Sequence, residues 1–364
     1  MTQRLVHTAS AAFEAARSIG GLSVADRAGR LHGHGFLASA RACLPAGWGP
    51  CPGAEHDSLR EALEAAIAPL DYQHLNDMLE QPTDDNLARW LHERLAVPGL
   101  EAIGIQSTSN SGIELDAQGR VRTWRRYALQ AAHRLPHVPP GHKCGRVHGH
   151  GFEVVLYADH TGPAASAQHA SESLDRAWAP LYAELDHAYL NDIQGLENPT
   201  SEVLCRWLWQ RLKPTLAELA WVTVFETGQS GASHDGTRFR IWKDLTLDRA
   251  TCLPDAAPGD RRRRVHGHTY TLRLQLSAPL DAVLGWTVDF GDVKERFTPI
   301  FEALDHRPLH ELPGLPQADV ASLAHWIRAA AAPQLPALDG IGLYATRGCG
   351  VDLSWGAPGV DLPL

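Results

Sequence analysis

At 364 residues the chain exceeds one ordinary hydrophobic core, so length alone points to two or three domains, and a hydrophobic fraction of 44% suits a soluble globular protein. A formal net charge of −9 excludes a broad nucleic-acid footprint, which requires a basic surface. No run approaches the roughly 18 apolar residues of a membrane helix, and the N-terminus lacks the basic-then-apolar pattern of a signal peptide. A cytoplasmic location with no membrane partner is therefore expected, with the six scattered cysteines reduced.

Three landmarks then recur along the chain. The string His32-Gly33-His34 returns as His148-Gly149-His150 and His266-Gly267-His268, offset by 116 and 118 residues. An aspartate follows the first of these histidines by 38 or 39 residues, as Asp71 in LDYQHLND, Asp186 in LDHAYLND and Asp305 in LDHRPLHE. A polar residue and Ser or Thr closing an apolar strand fall at Gln106-Ser107 and Glu226-Thr227, with Ala345-Thr346 as the third copy. Landmarks in phase over three copies indicate internal repeats, divided here as 1–122, 123–238 and 239–364.

Each copy reads strand, strand, helices, strand, strand. The segments from Phe152 to Tyr157 and from Tyr270 to Leu276 run apolar or alternate like half-buried strands. The spacing predicts a helix from Ser201 to Leu212, and its Pro199-Thr200-Ser201-Glu202 start has the form of a capping box. Such a unit is an antiparallel sheet covered by helices on one face, an α+β arrangement. Its two open edges disappear if three units supply twelve strands to one closed barrel.

The middle copy carries chemistry. His148 and His150, one residue apart on a strand, point to the same face. His133 lies 15 residues before His148, a distance suited to the paired strand of a hairpin. Three imidazoles with an open fourth position are the composition of a catalytic zinc site. Cys144 sits beside this set as a base rather than a fourth ligand, with Lys143, Arg146 and a metal cation lowering its pKa; a small buried hydrophobe is the alternative. Arg261, Arg262, Arg263 and Arg264 form a basic cluster that either holds an anion or pairs with its own neighbours.

From AAHRLPHVPPGHKCGRVHGH through LDHAYLNDIQGLENPTSE to VFETG, the middle repeat resembles the 6-pyruvoyl-tetrahydropterin synthase family. It is most similar to the bacterial queuosine-pathway branch that makes 6-carboxytetrahydropterin. The family's strand ending GW-x-x-DF-x-x-(L/V)K is absent after His160 but stands in the third repeat from Gly285 to Lys294. The resemblance implies T-fold (tunnelling-fold) repeats forming a pseudo-trimeric barrel, and Zn2+ on His133, His148 and His150 with Cys144 as general acid/base. It implies Asp186 and His187 as a second proton-transfer element, and Glu226 anchoring a pterin ring lined by Thr200, Ser201 and Glu202. Asp186 as a helix cap and Glu202 as a capping-box partner remain open.

The implied reaction turns 7,8-dihydroneopterin triphosphate into 6-carboxytetrahydropterin, acetaldehyde and triphosphate. Pyruvoyl-tetrahydropterin formation and a non-catalytic pterin- or zinc-binding module are the alternatives. Ordinary members are hexamers of single repeats, so this chain is expected to form a homodimer with two intact sites. In the outer repeats Arg17 and Thr251 stand in place of His133, and Ala28 and Arg262 in place of Cys144. Gln106 and Ala345 are expected where the middle repeat has Glu226. The third repeat keeps Asp305 and His306 although its zinc triad is incomplete. This predicts either that His306 serves the middle site across a repeat boundary or that the pair merely packs a helix.

Overall fold

The computed structural model describes residues 3–20, 27–160, 165–315 and 319–356. Twelve main strands run along the chain as β1 (Arg4–Arg17), β2 (His32–Ala42), β3 (Leu100–Thr108), β4 (Ser111–Asp116), β5 (Val121–His133), β6 (His148–His160), β7 (Leu219–Thr227), β8 (Ser230–His234), β9 (Phe239–Thr251), β10 (His266–Ser277), β11 (Leu338–Thr346) and β12 (Cys349–Ser354). Among the described residues six α-helices accompany them: α1 (Glu55–Ile67), α2 (Asp84–Arg94), α3 (Ala165–Leu185), α4 (Ser201–Leu212), α5 (Phe290–Leu304) and α6 (Val320–Ala331). Each repeat contributes four strands and two helices. Thr161-Gly162 and the chain termini beyond the ranges above lie outside the described residues.

Neighbouring strands pair antiparallel throughout, and the ring closes where β1 meets β12, from Arg4 opposite Ser354 to Thr8 opposite Gly350. This is the closed barrel expected from the sequence, with no open edge left to manage. Two-residue strands at Gln73–His74 and Ala188–Tyr189 add parallel to β1 and β5.

The apolar core lies between sheet and helices, outside the barrel. In β10 the side chains of Tyr270, Leu272, Leu274 and Leu276 are buried alternately, as the period-2 geometry of a strand dictates. One core runs unbroken through the second and third repeats, whereas the first repeat has its own. The lumen is polar by contrast, laced with pairs such as Arg122–Asp159 at 2.5 Å and Arg273–Asp244 at 2.7 Å. Among the described residues no helix is long and apolar enough to cross a membrane.

The helix predicted at Ser201 spans Ser201–Leu212, and the Thr200 hydroxyl accepts from the Val203 N–H at 3.2 Å. It is capped but not boxed: Glu202 turns away, and its Oε1 accepts from the Thr287 N–H at 2.8 Å instead. The third histidine-string repeat is followed by the same hairpin frame as the others, since Arg17, His133 and Thr251 each face the first histidine of their own copy.

Candidate metal centre

His133 ends β5 and lies directly opposite His148 at the start of β6, with His150 two residues on along the same face. The three rings converge, their centroids 4.5 to 5.2 Å apart. His133 Nδ1 donates to Pro199 O at 2.9 Å and His148 Nδ1 to Arg146 O at 2.8 Å, which fixes the tautomer and leaves Nε2 facing the centre. His133 Nε2 and His150 Nε2 are shielded from solvent without a hydrogen-bond partner. Glu226 Oε1 completes the group, 3.4 Å from His150 Nε2 and 4.0 Å from His133 Nε2, so four donor atoms gather within 4.8 Å. Burial holds the pKa of both His133 and His150 below the ordinary imidazole value. Neutral nitrogens, orphaned and buried around one point, fit a divalent metal such as zinc.

Ser201 Oγ donates to Glu226 Oε2 at 2.7 Å, bracing the carboxylate from behind. Cys144 sits half-buried on a single 3-10 turn (Lys143–Gly145) between the two histidine strands. Without a cation, burial first and then the nearby charge of Glu226 push its thiol pKa up; Lys143 opposes this and Asp289 adds to it. The expected help from Arg146 does not appear, because the carbonyl of that residue, not its guanidinium, serves the site through His148.

Asp186 and His187 form a compact device at the end of α3. Asp186 Oδ1 accepts from Gln130 N at 2.9 Å, and Oδ2 accepts from His187 Nδ1 at 2.8 Å. Those same bonds, the Gln130 backbone first, hold the Asp186 carboxyl below its usual pKa. His187 is forced into the left-handed region at φ 59°, and its N–H donates to Gln130 O at 2.6 Å. A non-glycine residue there costs about 1–3 kcal/mol. Tyr72 at φ 54° and His306 at φ 55° repeat the turn in the other copies, so the aspartate landmark is a backbone clamp. The His187 ring remains 78% exposed and the His306 ring 76%, and neither belongs to the four-donor group.

The third repeat reaches over the second. His137 Nδ1 donates to Val283 O at 2.7 Å, Asn198 Nδ2 to Leu284 O at 2.8 Å, and Thr200 Oγ1 to Gly285 O. Gly285 has φ +75°, and a Cβ there would lie 2.6 Å from Asn198 Nδ2, so only glycine fits. His142 Nε2 then approaches Asp289 Oδ2 at 3.7 Å. Glu202, 2% exposed, is raised by burial to a pKa of about 7. The GW-x-x-DF motif missing from the second repeat is therefore supplied by the third as a roof. Sequence reasoning missed this contact, although the motif's presence in one repeat and absence from the next was its signal.

Because Asp289 at the start of α5 stands at this site, Asp305 and His306 lie at the far end of a 15-residue helix, about 22 Å away at 1.5 Å per residue. They attach to Asp248 of β9, beside Thr251, the third repeat's own position. Within one chain that length sets His306 apart from the imidazole cluster it was expected to serve.

The first repeat has filled its site. Arg17 NH1 donates to Pro82 O at 2.8 Å and to Asp84 Oδ1 at 2.7 Å, placing a guanidinium in the first repeat where the second gathers its imidazoles. The counterpart of Glu226 there is Ser107, not Gln106. Thr108, Thr227 and Thr346 pair with Ser111, Ser230 and Cys349 at the three hairpins, which aligns Ser107 with Glu226 and Ala345. Ser107 Oγ donates to Asp84 Oδ2 at 2.6 Å, the Ser201–Glu226 bond with acid and hydroxyl exchanged. Two members of the arginine cluster pair with their neighbours: Arg262 binds Asp260 at 2.7 Å, and Arg263 NH1 donates to Ala256 O at 2.8 Å.

The family profile described as 6-pyruvoyl tetrahydropterin synthase matches residues 122–237 and 240–354. A 6-carboxy-5,6,7,8-tetrahydropterin synthase of Synechocystis sp. is 32% identical over 122 residues, which is 32% of this chain and 93% of that protein. A putative enzyme of the same name from Archaeoglobus fulgidus is 34% identical over 86 residues, covering 23% of this chain and 70% of its own length. Among solved structures, the Caenorhabditis elegans 6-pyruvoyl tetrahydropterin synthase covers 32% of this chain and 95% of itself, at 14% identity and a TM-score of 0.30. The Arthrobacter globiformis uricase covers 66% of this chain and 96% of itself, at 11% identity and a TM-score of 0.32.

Proposed function

The chain belongs to the 6-pyruvoyl tetrahydropterin synthase family, and from that premise we propose that its middle repeat is a zinc-dependent carbon–carbon lyase. The substrates are 7,8-dihydroneopterin triphosphate and one water molecule, and the products are 6-carboxytetrahydropterin, acetaldehyde and triphosphate. The observation that carries this proposal is the pair of buried, unpartnered Nε2 atoms of His133 and His150 beside His148 and Glu226. The relative from Synechocystis sp., which bears the carboxy-pterin name, supports this product over the pyruvoyl one.

His133, His148 and His150 would hold zinc, which would supply Lewis-acid polarisation of the hydroxyls of the substrate side chain. Glu226, braced by Ser201, accepts from the amide N–H and exocyclic amine of the pterin, since one carboxylate matches two adjacent donors. Thr200, Ser201 and Glu202 line the ring pocket. Cys144 removes a proton from the side chain as general base. Asp186 keeps the proton of His187 on Nδ1, so that Nε2 is the atom that takes and returns a proton. Two chains stack their barrels as a homodimer, in the cytoplasm, giving two complete sites.

Incubating the purified protein with 7,8-dihydroneopterin triphosphate and measuring acetaldehyde tests the proposal. Stoichiometric acetaldehyde supports it. A pyruvoyl-pterin without acetaldehyde assigns the sister reaction, and no turnover with zinc bound rejects catalysis.

A further inference from the structure

The barrel lumen contains a cavity of about 410 Å³, within the size range of small-ligand pockets. Its position follows from a break in the threefold pattern. Trp124 lies opposite Tyr157 and Gly112, and Trp242 opposite Gln275 and Gly231. The matching position in the first repeat, opposite Arg41 and Gly350, is Thr8. Two indoles and one threonine thus stand where symmetry would place three indoles. The rings of Trp124 and Trp242 cover their glycines so closely that a Cβ on Gly112 or Gly231 would lie 2.7 or 2.6 Å from ring carbons. In the first repeat the wall is cut back further, with Ser39 where the other copies have Val155 and Arg273.

The space is equipped for a ligand. Trp242 is 2% exposed and Thr8 7% exposed, and the indole Nε1–H of the one and the hydroxyl of the other are buried without a hydrogen-bond partner. Both residues line the cavity. Most guanidinium groups of the wall are neutralised, Arg273 by Asp244 and Arg240 by Asp339, each at 2.7 Å. Arg347, exposed on the β11–β12 hairpin, also lines the cavity and forms no ion pair among the described residues.

We propose that the lumen is a binding site for a flat aromatic carboxylate of about indole size, lying in the place of the missing third tryptophan. Its ring packs against Trp124 and Trp242, an acceptor atom takes the Trp242 Nε1–H, and its carboxylate faces Arg347. Aromatic stacking and one charge-assisted hydrogen bond supply the affinity. The site is separate from the metal centre. Trp124 and His133 are nine positions apart on a strand of unbroken register, so their side chains leave opposite faces of the sheet.

Calorimetric titration of the full chain with indole-3-carboxylate tests this, with tryptophan fluorescence as a second readout. Saturable one-to-one binding is expected at or below about 1 mM. It should weaken about tenfold or more in Thr8→Trp, which fills the space, and about tenfold in Arg347→Ala. Zinc content should be unchanged in both variants, and binding should persist in zinc-free His148→Ala. Should Thr8→Trp fail to fold, Trp242→Phe removes the donor while keeping a ring and should weaken binding in the same sense. No saturable binding up to about 10 mM, or binding lost with the zinc, overturns the proposal, as does full affinity in a folded Thr8→Trp or Trp242→Phe variant.

Discussion

Arg17 and His133 occupy one position of two successive repeats, and each donates to the carbonyl of the proline before a threonine helix cap: Pro82 O at 2.8 Å and Pro199 O at 2.9 Å. In the first repeat the donor is a permanent cation held by Asp84. In the second it is a neutral imidazole with a spare nitrogen. A guanidinium in that place supplies the positive charge a metal would bring and has no lone pair to bind one.

Zinc content should accordingly be one per chain. His148→Ala should abolish metal binding and activity together, while His32→Ala should leave both unchanged. Elemental analysis of the purified protein measures this directly, and a reproducible value near three per chain would show that the outer histidine strings are working sites.

Glu226 stands within reach of the imidazoles and is also the proposed pterin anchor, so its two possible duties can be separated. As the pterin anchor, Glu226→Gln should keep zinc and lose substrate affinity by about 10- to 100-fold, because a buried charge-assisted pair contributes about 1.5–3 kcal/mol. Loss of zinc in this variant would make the carboxylate a fourth ligand.

Much of this centre was legible in the sequence, for a physical reason. Alternation on a strand fixes which face a histidine takes, so His148 and His150 had to point together. The partner of Glu202 was not legible. It is a backbone N–H at Thr287, 85 residues away, and no side-chain letter advertises a backbone donor. Ser107 was hidden by the irregular pairing between Gln106 and Thr108. Matching residues by chemical type favoured Gln106, whereas the ladder register aligns Ser107.

Cys144→Ala should retain zinc and pterin binding but lose about 100- to 10,000-fold in turnover, the usual contribution of a general acid or base. Near-normal kcat in this variant would remove the thiol from the mechanism.

Glu202 gives a pH signature. Its carboxyl titrates near 4.5 when unfolded and about 7 in the fold, so the folded state holds its proton more firmly. The stability this contributes is present at low pH and is lost as pH rises through about 7. Glu202→Gln keeps an acceptor for the Thr287 N–H and removes the ionisation. It should raise thermal stability at pH 8, by on the order of 1–3 kcal/mol, and change little at pH 5. An equal effect at both pH values would show that burial of the charge is not the cause.

The last prediction ranks the two exposed histidines. His187 and His306 share their turn and their aspartate partner, at 2.8 and 2.7 Å, so neither is distinguished by local geometry. They differ in what they adjoin. His187 is tied to Gln130, three residues from His133 on β5, whereas His306 is tied to Asp248, three residues from Thr251 on β9. The length of α5 separates His306 from the imidazole cluster of its own chain. His187→Ala should therefore reduce turnover by about 100-fold or more with zinc intact, and His306→Ala should leave most activity. The opposite ranking would mean that a second chain brings its His306 to the site. Mixing His306→Ala chains with Cys144→Ala chains would then test that arrangement. If the partner supplies His306, the sites pairing a His306→Ala zinc centre with a Cys144→Ala partner regain activity, and no recovery would leave His187 as the proton carrier.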